Sequence, residues 1–390
     1  MSSPQNASAA APLRGIRVID FSMATAGPLA TMLLADLGAD VIKVENTGRP
    51  ESLEMMRVST NRNKRSVALD LKTSAGVRAA RDLIATAQVV VSSFRPGVMA
   101  TFGLGADDLL PDRPDLIYAA LSGYGEVGPA AKRRSMDKIV QADSGIMAAG
   151  GMIDHIALVD MTAGSNLALA ITAAVLERKH TGKGGKINAR LFDAALLLQA
   201  PDIAGYSVLG PASRDTAVAG YPGADQFPTS DGAVFIAAYY DWHWQALCKV
   251  LGLAEIATDP RYSTREQRTE PTNATVLRAA LAEATTPWKS DDLIAALEEA
   301  GVMVTIVRGY QEVLDDTSLL ENGSLVEVPY RDGHVRLVRP PFDYDGVPFP
   351  VRRPSPEPGA DTADVFREIG YTDDAIEKLA ESGSTAAGTE

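Results

Sequence analysis

Gly15-Ile16-Arg17-Val18-Ile19-Asp20-Phe21 and Gly38-Ala39-Asp40-Val41-Ile42-Lys43-Val44-Glu45 flank a turn at Ala26-Gly27-Pro28 and an apolar run through Leu29, Met32, Leu33 and Leu37. Short β-branched runs on either side of a helical stretch predict a β-α-β unit. The pattern repeats with Val67–Leu71, a helix from Thr73 to Ala87, and a strand at Val89–Ser93. Leu116–Leu121 is a further strand, running into the glycine-bearing Ser122-Gly123-Tyr124-Gly125. Strands that alternate with helices predict a parallel, doubly wound sheet and an α/β fold. Ligands on such sheets bind beyond the carboxyl ends of the strands, where these loops lie.

Downstream, Ile187–Leu191 continues the strand pattern, and from Pro201 to Pro228 the composition shifts to Gly, Pro, Ala and Ser. That shift predicts a linker or active-site loop over 201–228. Asp231-Gly232 turns into a strand at Ala233–Ala237, followed by helices near Trp242–Leu251, Ala274–Glu283 and Ser290–Ala300. These make a smaller α+β domain over 229–325. Strands at Leu325–Val328 and Val335–Val338 and helices at Thr362–Ile369 and Thr372–Glu381 follow. Residues 1–12 read as a disordered lead and 383–390 as a frayed tail.

The chain has 390 residues, a net charge of −13, 46% hydrophobic and 22% charged residues, the profile of a globular protein of more than one domain. The acidic balance argues against nucleic acid or an anionic membrane as partner. No stretch of about 18 apolar residues is free of charge, so no membrane span is expected. The Ser/Ala-rich start lacks the basic and apolar segments of a signal peptide. Cys248 is the single cysteine, and His155, His180, His243 and His334 lack metal-ligand spacing. A reducing, cytoplasmic setting without metal is the expectation.

Asp160 stands out, in Ile156-Ala157-Leu158-Val159-Asp160-Met161-Thr162-Ala163-Gly164-Ser165. The pattern predicts a strand through Val159 giving way to a helix that stops near Gly182. A carboxylate there is kept ionised by the helix end, available as a nucleophile, with the same N–H groups placed for a developing oxyanion. An N-cap aspartate is the alternative reading of the same segment. The first turn, Ser22 to Pro28, lacks G-x-G-x-x-G, which argues against a dinucleotide, and no Walker A loop is present. Asn61–Ser66, Ser93–Gly97 and Ser122–Gly125 bring cations and an aromatic to predicted strand ends. Together they predict one site for a long anionic ligand.

From about Gly15 to Ser382 the ordered motifs resemble the class III CoA-transferases, the CaiB/BaiF family. The matching pieces include Ala26-Gly27-Pro28, Asn63-Lys64-Arg65-Ser66, Phe94-Arg95-Pro96-Gly97, Leu121–Gly125, Asp160 with Ala163-Gly164, and Thr181-Gly182-Lys183-Gly184. The resemblance implies an interlocked homodimer. Each subunit would have a Rossmann-like large domain, here 13–200 plus 326–382, with the small domain as an insertion. It implies transfer of CoA from an acyl-CoA to a free carboxylic acid through an aspartyl intermediate at Asp160. Coenzyme A would be substrate, with no permanently bound cofactor. By position, Thr25 and Ala26 would lie near the thiol arm. Lys64, Arg65, Phe94 and Arg95 would hold or frame nucleotide and pantetheine, Arg134 would meet a phosphate, and Ala163 and Gly164 would admit the pantetheine end.

Departures from the family pattern are Asn46 in place of a cation (with Arg49 as substitute), Ser93 for Asn, Thr101 for Arg, and no glycine run near Pro211–Pro228. The last of these argues against formyl-CoA and oxalate as substrates. Within the family, α-methylacyl-CoA racemases need a histidine where this chain has Met136, and methionine cannot exchange a proton. A racemase and a non-catalytic CoA-binding subunit are the alternatives to a transferase. Met23, Met55, Met56, Met136 and Met161 either line an acyl pocket or fill the core. Arg57 or Arg62 either pairs with a second carboxylate of the acceptor or faces solvent.

Overall fold

Strand β1 (Arg17–Phe21) runs down the middle of a six-stranded sheet. Its companions are β2 (Asp40–Glu45), β3 (Arg65–Ala68), β4 (Val89–Ser92), β5 (Ile117–Ser122) and β6 (Gly185–Arg190). The order is β3-β2-β1-β4-β5-β6 and every pairing is parallel. That is the doubly wound order, in which the chain reverses direction across the sheet between β1 and β4. The computed structural model describes residues 11–47, 53–150, 155–210 and 221–385.

Alternate residues of each strand feed opposite faces of the sheet. Val18, Val41, Val89, Val91 and Ile117 pack under the helices Ala26–Asp36 and Leu158–Thr181. Ile19, Ile42, Val67, Val90 and Tyr118 pack under the helix Ser74–Ala85 and, from the end of the chain, Val365, Phe366 and Leu379. Both faces are covered, so the strands read as nearly unbroken apolar runs.

The chain forms two units, one running up to Leu198 and resuming at Thr317, the other Gln199–Asp316. The second holds an antiparallel sheet of β7 (Ala224–Pro228), β8 (Ala233–Ala237) and β9 (Met303–Ile306). Helices Asp241–Val250, Pro271–Thr285 and Ser290–Glu299 surround its core of Trp244, Leu247, Leu277, Leu281, Leu293 and Leu297. In the first unit a hairpin of β10 (Leu325–Tyr330) and β11 (Gly333–Val338) precedes the C-terminal helices.

Two expectations are corrected here. The stretch 201–228 is not a plain linker: Ala200–Leu209 is helical, with Pro201 in the first turn where its missing N–H costs nothing, and Ala224–Pro228 is β7. The tail is held at Ser384 and Thr385, both buried: Asp70 N donates to Ser384 O at 2.9 Å and Thr385 Oγ1 to Ala68 O at 2.5 Å. Residues 1–10 of the expected lead, Arg49, 211–220 and 386–390 lie outside the described residues.

A buried charge cluster fixes the loop after β1. Asp20 is fully buried; its Oδ1 accepts from Ser22 N at 2.8 Å, and its Oδ2 from Thr31 Oγ1 at 2.6 Å and Lys64 Nζ at 3.1 Å. Lys64, equally buried, also donates to Pro28 O at 2.8 Å and Asn61 Oδ1 at 2.7 Å, while Lys43 Nζ reaches Ser22 O. Burial alone would raise the Asp20 pKa. The charges of Lys43 and Lys64, with the Ser22 and Thr31 hydroxyls, outweigh it and hold the carboxyl down at about 2. Burial lowers Lys64 to about 8 even with Asp20 beside it.

The helix Leu158–Thr181 meets the length and composition of a membrane-crossing helix, which the sequence reading did not expect. One face, through Val159, Ala163, Leu167, Ile171 and Val175, is part of the core. It ends at Gly182, whose φ of +72° suits glycine at a left-handed C-cap. Near its start Gly164 lets it settle on the helix Ala26–Asp36: a methyl group on Gly164 would lie 2.5 Å from the Ala26 carbonyl oxygen.

Asp20→Asn removes the nearest counter-charge of two buried ammonium groups. It is expected to lower the unfolding free energy by about 3–5 kcal/mol in urea titrations. Gly164→Ala is expected to destabilise as well, although alanine is favoured in a helix by about 1 kcal/mol, because its methyl group meets backbone rather than a movable side chain. A melting temperature at or above that of the wild type would refute this packing.

Candidate active site

Asp160 lies in the first turn of the helix Leu158–Thr181, whose N-cap is Ala157. Leu158 and Val159 are already helical, so the expected strand before Asp160 is absent and Asp160 is not the capping residue. The cap comes from Asp137, at the start of the helix Asp137–Asp143: its Oδ2 accepts from Val159 N at 2.8 Å and Asp160 N at 3.0 Å. Those two N–H groups are therefore taken, and the expected oxyanion site made from them is withdrawn. Asp137 is itself buried, and its Oδ1 accepts from Gln141 Nε2 at 2.5 Å.

Burial first, and then the negative charge of Asp137, push Asp160 up to about 6; Lys138 opposes this. The pattern of residues around Asp160 predicts a carboxyl kept ionised by the helix end. In the structure Asp137 takes up that favourable position, and Asp160 meets a like charge instead.

Asp160 and Gly164 are four residues apart, on one face of the helix. Gly164 abuts Ala26, in the first turn of the neighbouring helix, so that contact lies one helical turn from Asp160. Thr25 and Ala26 are buried, and Thr25 Oγ1 has no hydrogen-bond partner among the described residues. A buried hydroxyl without a partner is a donor that a ligand can satisfy. The preceding Ala24 has φ of +61°, an uncommon conformation for a residue with a side chain. Met23 N donates to Ser93 Oγ at 2.9 Å, which ties this loop to the one after β4. The two loops part at the reversal point of the sheet, the usual place for a ligand in this topology.

Phe94, after β4, forms one wall of a cleft with about 540 Å³ of space not filled by protein. Phe21, Glu45, Leu69, Lys72 and Phe102 line the same cleft, at the carboxyl ends of β1, β2 and β3. Lys72 was not singled out from the sequence, although its place after β3 follows the same rule as the other strand-end cations. Arg95 is exposed beside Phe94, and Arg134 is exposed three residues before Asp137.

Other residues from the sequence reading are placed elsewhere. The Lys64 ammonium is enclosed by its three oxygen partners. Arg65 opens β3, at the amino edge of the sheet, and pairs with Asp40 (2.6 Å) and Glu368 (2.6 Å). Ala163 and Gly164 face the neighbouring helix rather than an open channel. Arg62 is buried on Asp36 at 2.7 Å, and Arg57 pairs with Glu357 at 2.9 Å, so neither faces solvent or a second carboxylate of a ligand. Met55, Met56, Met136 and Met161 are exposed, not core. Among the described residues no cluster suits a metal ion.

This arrangement sets a half-buried carboxylate of raised basicity one helical turn from the Gly164–Ala26 contact, in a fold whose sheet ends in an aromatic and cationic cleft. The family model described as CoA-transferase family III matches residues 13–362. A succinate–glutarate CoA-transferase of Agrobacterium fabrum is 34% identical, over 92% of this chain and 96% of its own length. The succinyl-CoA:glutarate CoA-transferase of Mus musculus is 31% identical, over 95% and 90%. A crystal structure of a CaiB/BaiF family protein from Brucella suis, 30% identical, superposes with a TM-score of 0.80 over 92% of this chain and all of its own. The chain belongs to CoA-transferase family III, the CaiB/BaiF family, and is an enzyme of that class.

Proposed function

We propose that the protein moves CoA from an acyl-CoA to a free carboxylic acid by covalent catalysis at Asp160. The observation that carries this reading is the half-buried Asp160 carboxylate, basic for its kind, one helical turn from the contact of Gly164 with Ala26. A carboxylate oxygen of Asp160 attacks the thioester carbonyl carbon; the C–S bond breaks, and a mixed anhydride and CoA thiolate result. The thiolate attacks the aspartyl carbonyl, releasing the donor acid and leaving an aspartyl-CoA thioester. The acceptor carboxylate then repeats the exchange in reverse and leaves as its CoA ester, restoring Asp160. Each step exchanges one acyl bond for another, so one difficult transfer becomes several easier ones.

In this reading Thr25 Oγ1 donates to the oxyanion that forms at the attacked carbonyl. Phe94, Lys72 and Arg95 frame the nucleotide end of CoA in the cleft, Arg134 meets a phosphate, and Ala26 borders the thiol arm. Lys64 acts at one remove, by holding the loop that bears Thr25. Arg65 supports the sheet edge through Asp40. Relatives named for succinate or succinyl-CoA with glutarate make succinyl-CoA and glutarate the first pair to assay. Exposed Met136 and Met161 beside the carboxylate favour a wider panel of medium and branched acids.

The working form is proposed to be an interlocked homodimer. Met161, Leu169 and Leu176 are exposed on the face of the helix Leu158–Thr181 opposite its core face, and Leu197 and Leu198 are exposed shortly after it. A helix apolar all round is normally covered on both sides, and a second copy supplies that cover. The buried free thiol of Cys248 agrees with a reducing, cytoplasmic setting.

Incubation with acyl-CoA and trapping by hydroxylamine should modify the peptide bearing Asp160, and Asp160→Ala should abolish both modification and turnover. The attacking form is the ionised one, so kcat/KM is expected to be level above pH 7 and to fall about tenfold per unit below pH 5, with its midpoint near 6. Turnover without an adduct at Asp160 would sink the covalent route. Leu169→Glu is expected to shift the sedimentation coefficient from that of a dimer to that of a monomer.

A further inference from the structure

The N-terminus of a helix leaves several backbone N–H groups without partners, and an anion placed there is stabilised. In the helix that carries Asp160 the anion is the carboxylate of Asp137, more than twenty residues upstream and on a different helix, bonded to the N–H groups of Val159 and Asp160. Asp137 is held in turn by Gln141 and stands 3.8 Å from Lys138 Nζ, which also donates to Ile156 O at 3.1 Å. The chain entering the catalytic helix is thus tied at Ile156, Val159 and Asp160 to two adjacent residues of the helix Asp137–Asp143.

We propose that Asp137 is the positioning residue for acyl transfer: its carboxylate fastens the turn that bears Asp160 through the Val159 and Asp160 N–H groups and stands there as a fixed negative charge. This rests on Asp160 being the nucleophile. An unmet helix end would stabilise the Asp160 carboxylate and blunt it. With Asp137 in that place, the end is satisfied and Asp160 meets a like charge in a buried setting. A more basic carboxylate attacks a thioester faster, as long as it remains ionised at the working pH. Among the described residues the charged groups acting on Asp160 are Asp137, which raises its pKa, and Lys138, which lowers it. One turn along, the neighbouring helix meets Gly164 through Ala26 and Leu29, neither of them charged, and His155, on the chain leading in, is exposed.

The test is the pH dependence of Asp160 acylation in a single turnover, followed by peptide mass with succinyl-CoA as donor. Asp137→Asn keeps an oxygen acceptor but removes the charge. Its rising limb is expected to move down from near pH 6 by a unit or more, and its plateau rate to fall about tenfold. Lys138→Gln retains a donor for Ile156 O and removes the opposing charge, so its limb should move up. It also provides the measurement if Asp137→Asn does not fold. A purely structural Asp137 would lower thermal stability without moving either limb. Limbs that coincide with the wild type in the folded variants overturn the proposal. A wild type that forms no adduct at Asp160 removes the transferase reading itself, which keeps the two failures apart.

Discussion

The pairing of Asp20 with Lys64, both fully buried, is the constraint on which the site is built. Asp20 comes from β1, Lys64 from the turn before β3, and Lys43 from β2 between them, so one charge cluster ties three adjacent strands at their centre. Burying charges is costly, and such a cluster is stable only when each donor and acceptor is met. Here the Lys64 ammonium has three oxygen partners, and the Asp20 carboxylate draws in Ser22 and Thr31. The loop from Ser22 to Pro28 is thereby pinned at both ends, which explains how Ala24 can hold a positive φ and Thr25 a buried hydroxyl with no partner. Strain and an unmet polar group in one loop need a rigid frame around them.

The long helix answers that rigidity from the other side. Its contact with the helix Ala26–Asp36 depends on the missing side chain at Gly164, and its opening turn depends on Asp137. Between them they determine where the Asp160 carboxylate points and how basic it is. Position is set by packing, and basicity first by burial and then by a charge on a different helix.

Much of this was legible in the sequence, and the exceptions have physical causes. The alternation of strands and helices gave the sheet, because β-branched runs buried on both faces cannot be confused with amphipathic helices of similar length; Ala233–Ala237 was placed to the residue. β7 and β9 were missed because Ala224–Pro228 and Met303–Ile306 bury few side chains and owe their strand character to pairing with β8. Leu158 and Val159 read as strand because local pattern carries no sign of the Asp137 carboxylate that starts the helix there. Lys64 and Arg65 looked alike, a basic pair after a turn. Only the distant Asp20 and Asp40 separate an enclosed ammonium from a sheet-edge guanidinium.

The docking of the chain's end has a consequence for synthesis. β3 is an edge strand, and its outer side is covered late: Asp361 N donates to Ser66 O, Thr385 to Ala68 O, and Val365 and Phe366 close the core beneath it. About 300 residues separate β3 from those partners, which at ordinary translation rates is on the order of 15–60 s. Through that interval the nascent sheet presents an uncovered hydrogen-bonding edge and an open apolar face, while the unit formed by Gln199–Asp316 has already left the ribosome complete. The large unit can close only once residues 361–385 have emerged, so its exposure to chaperones and to aggregation is set by the length of the intervening chain.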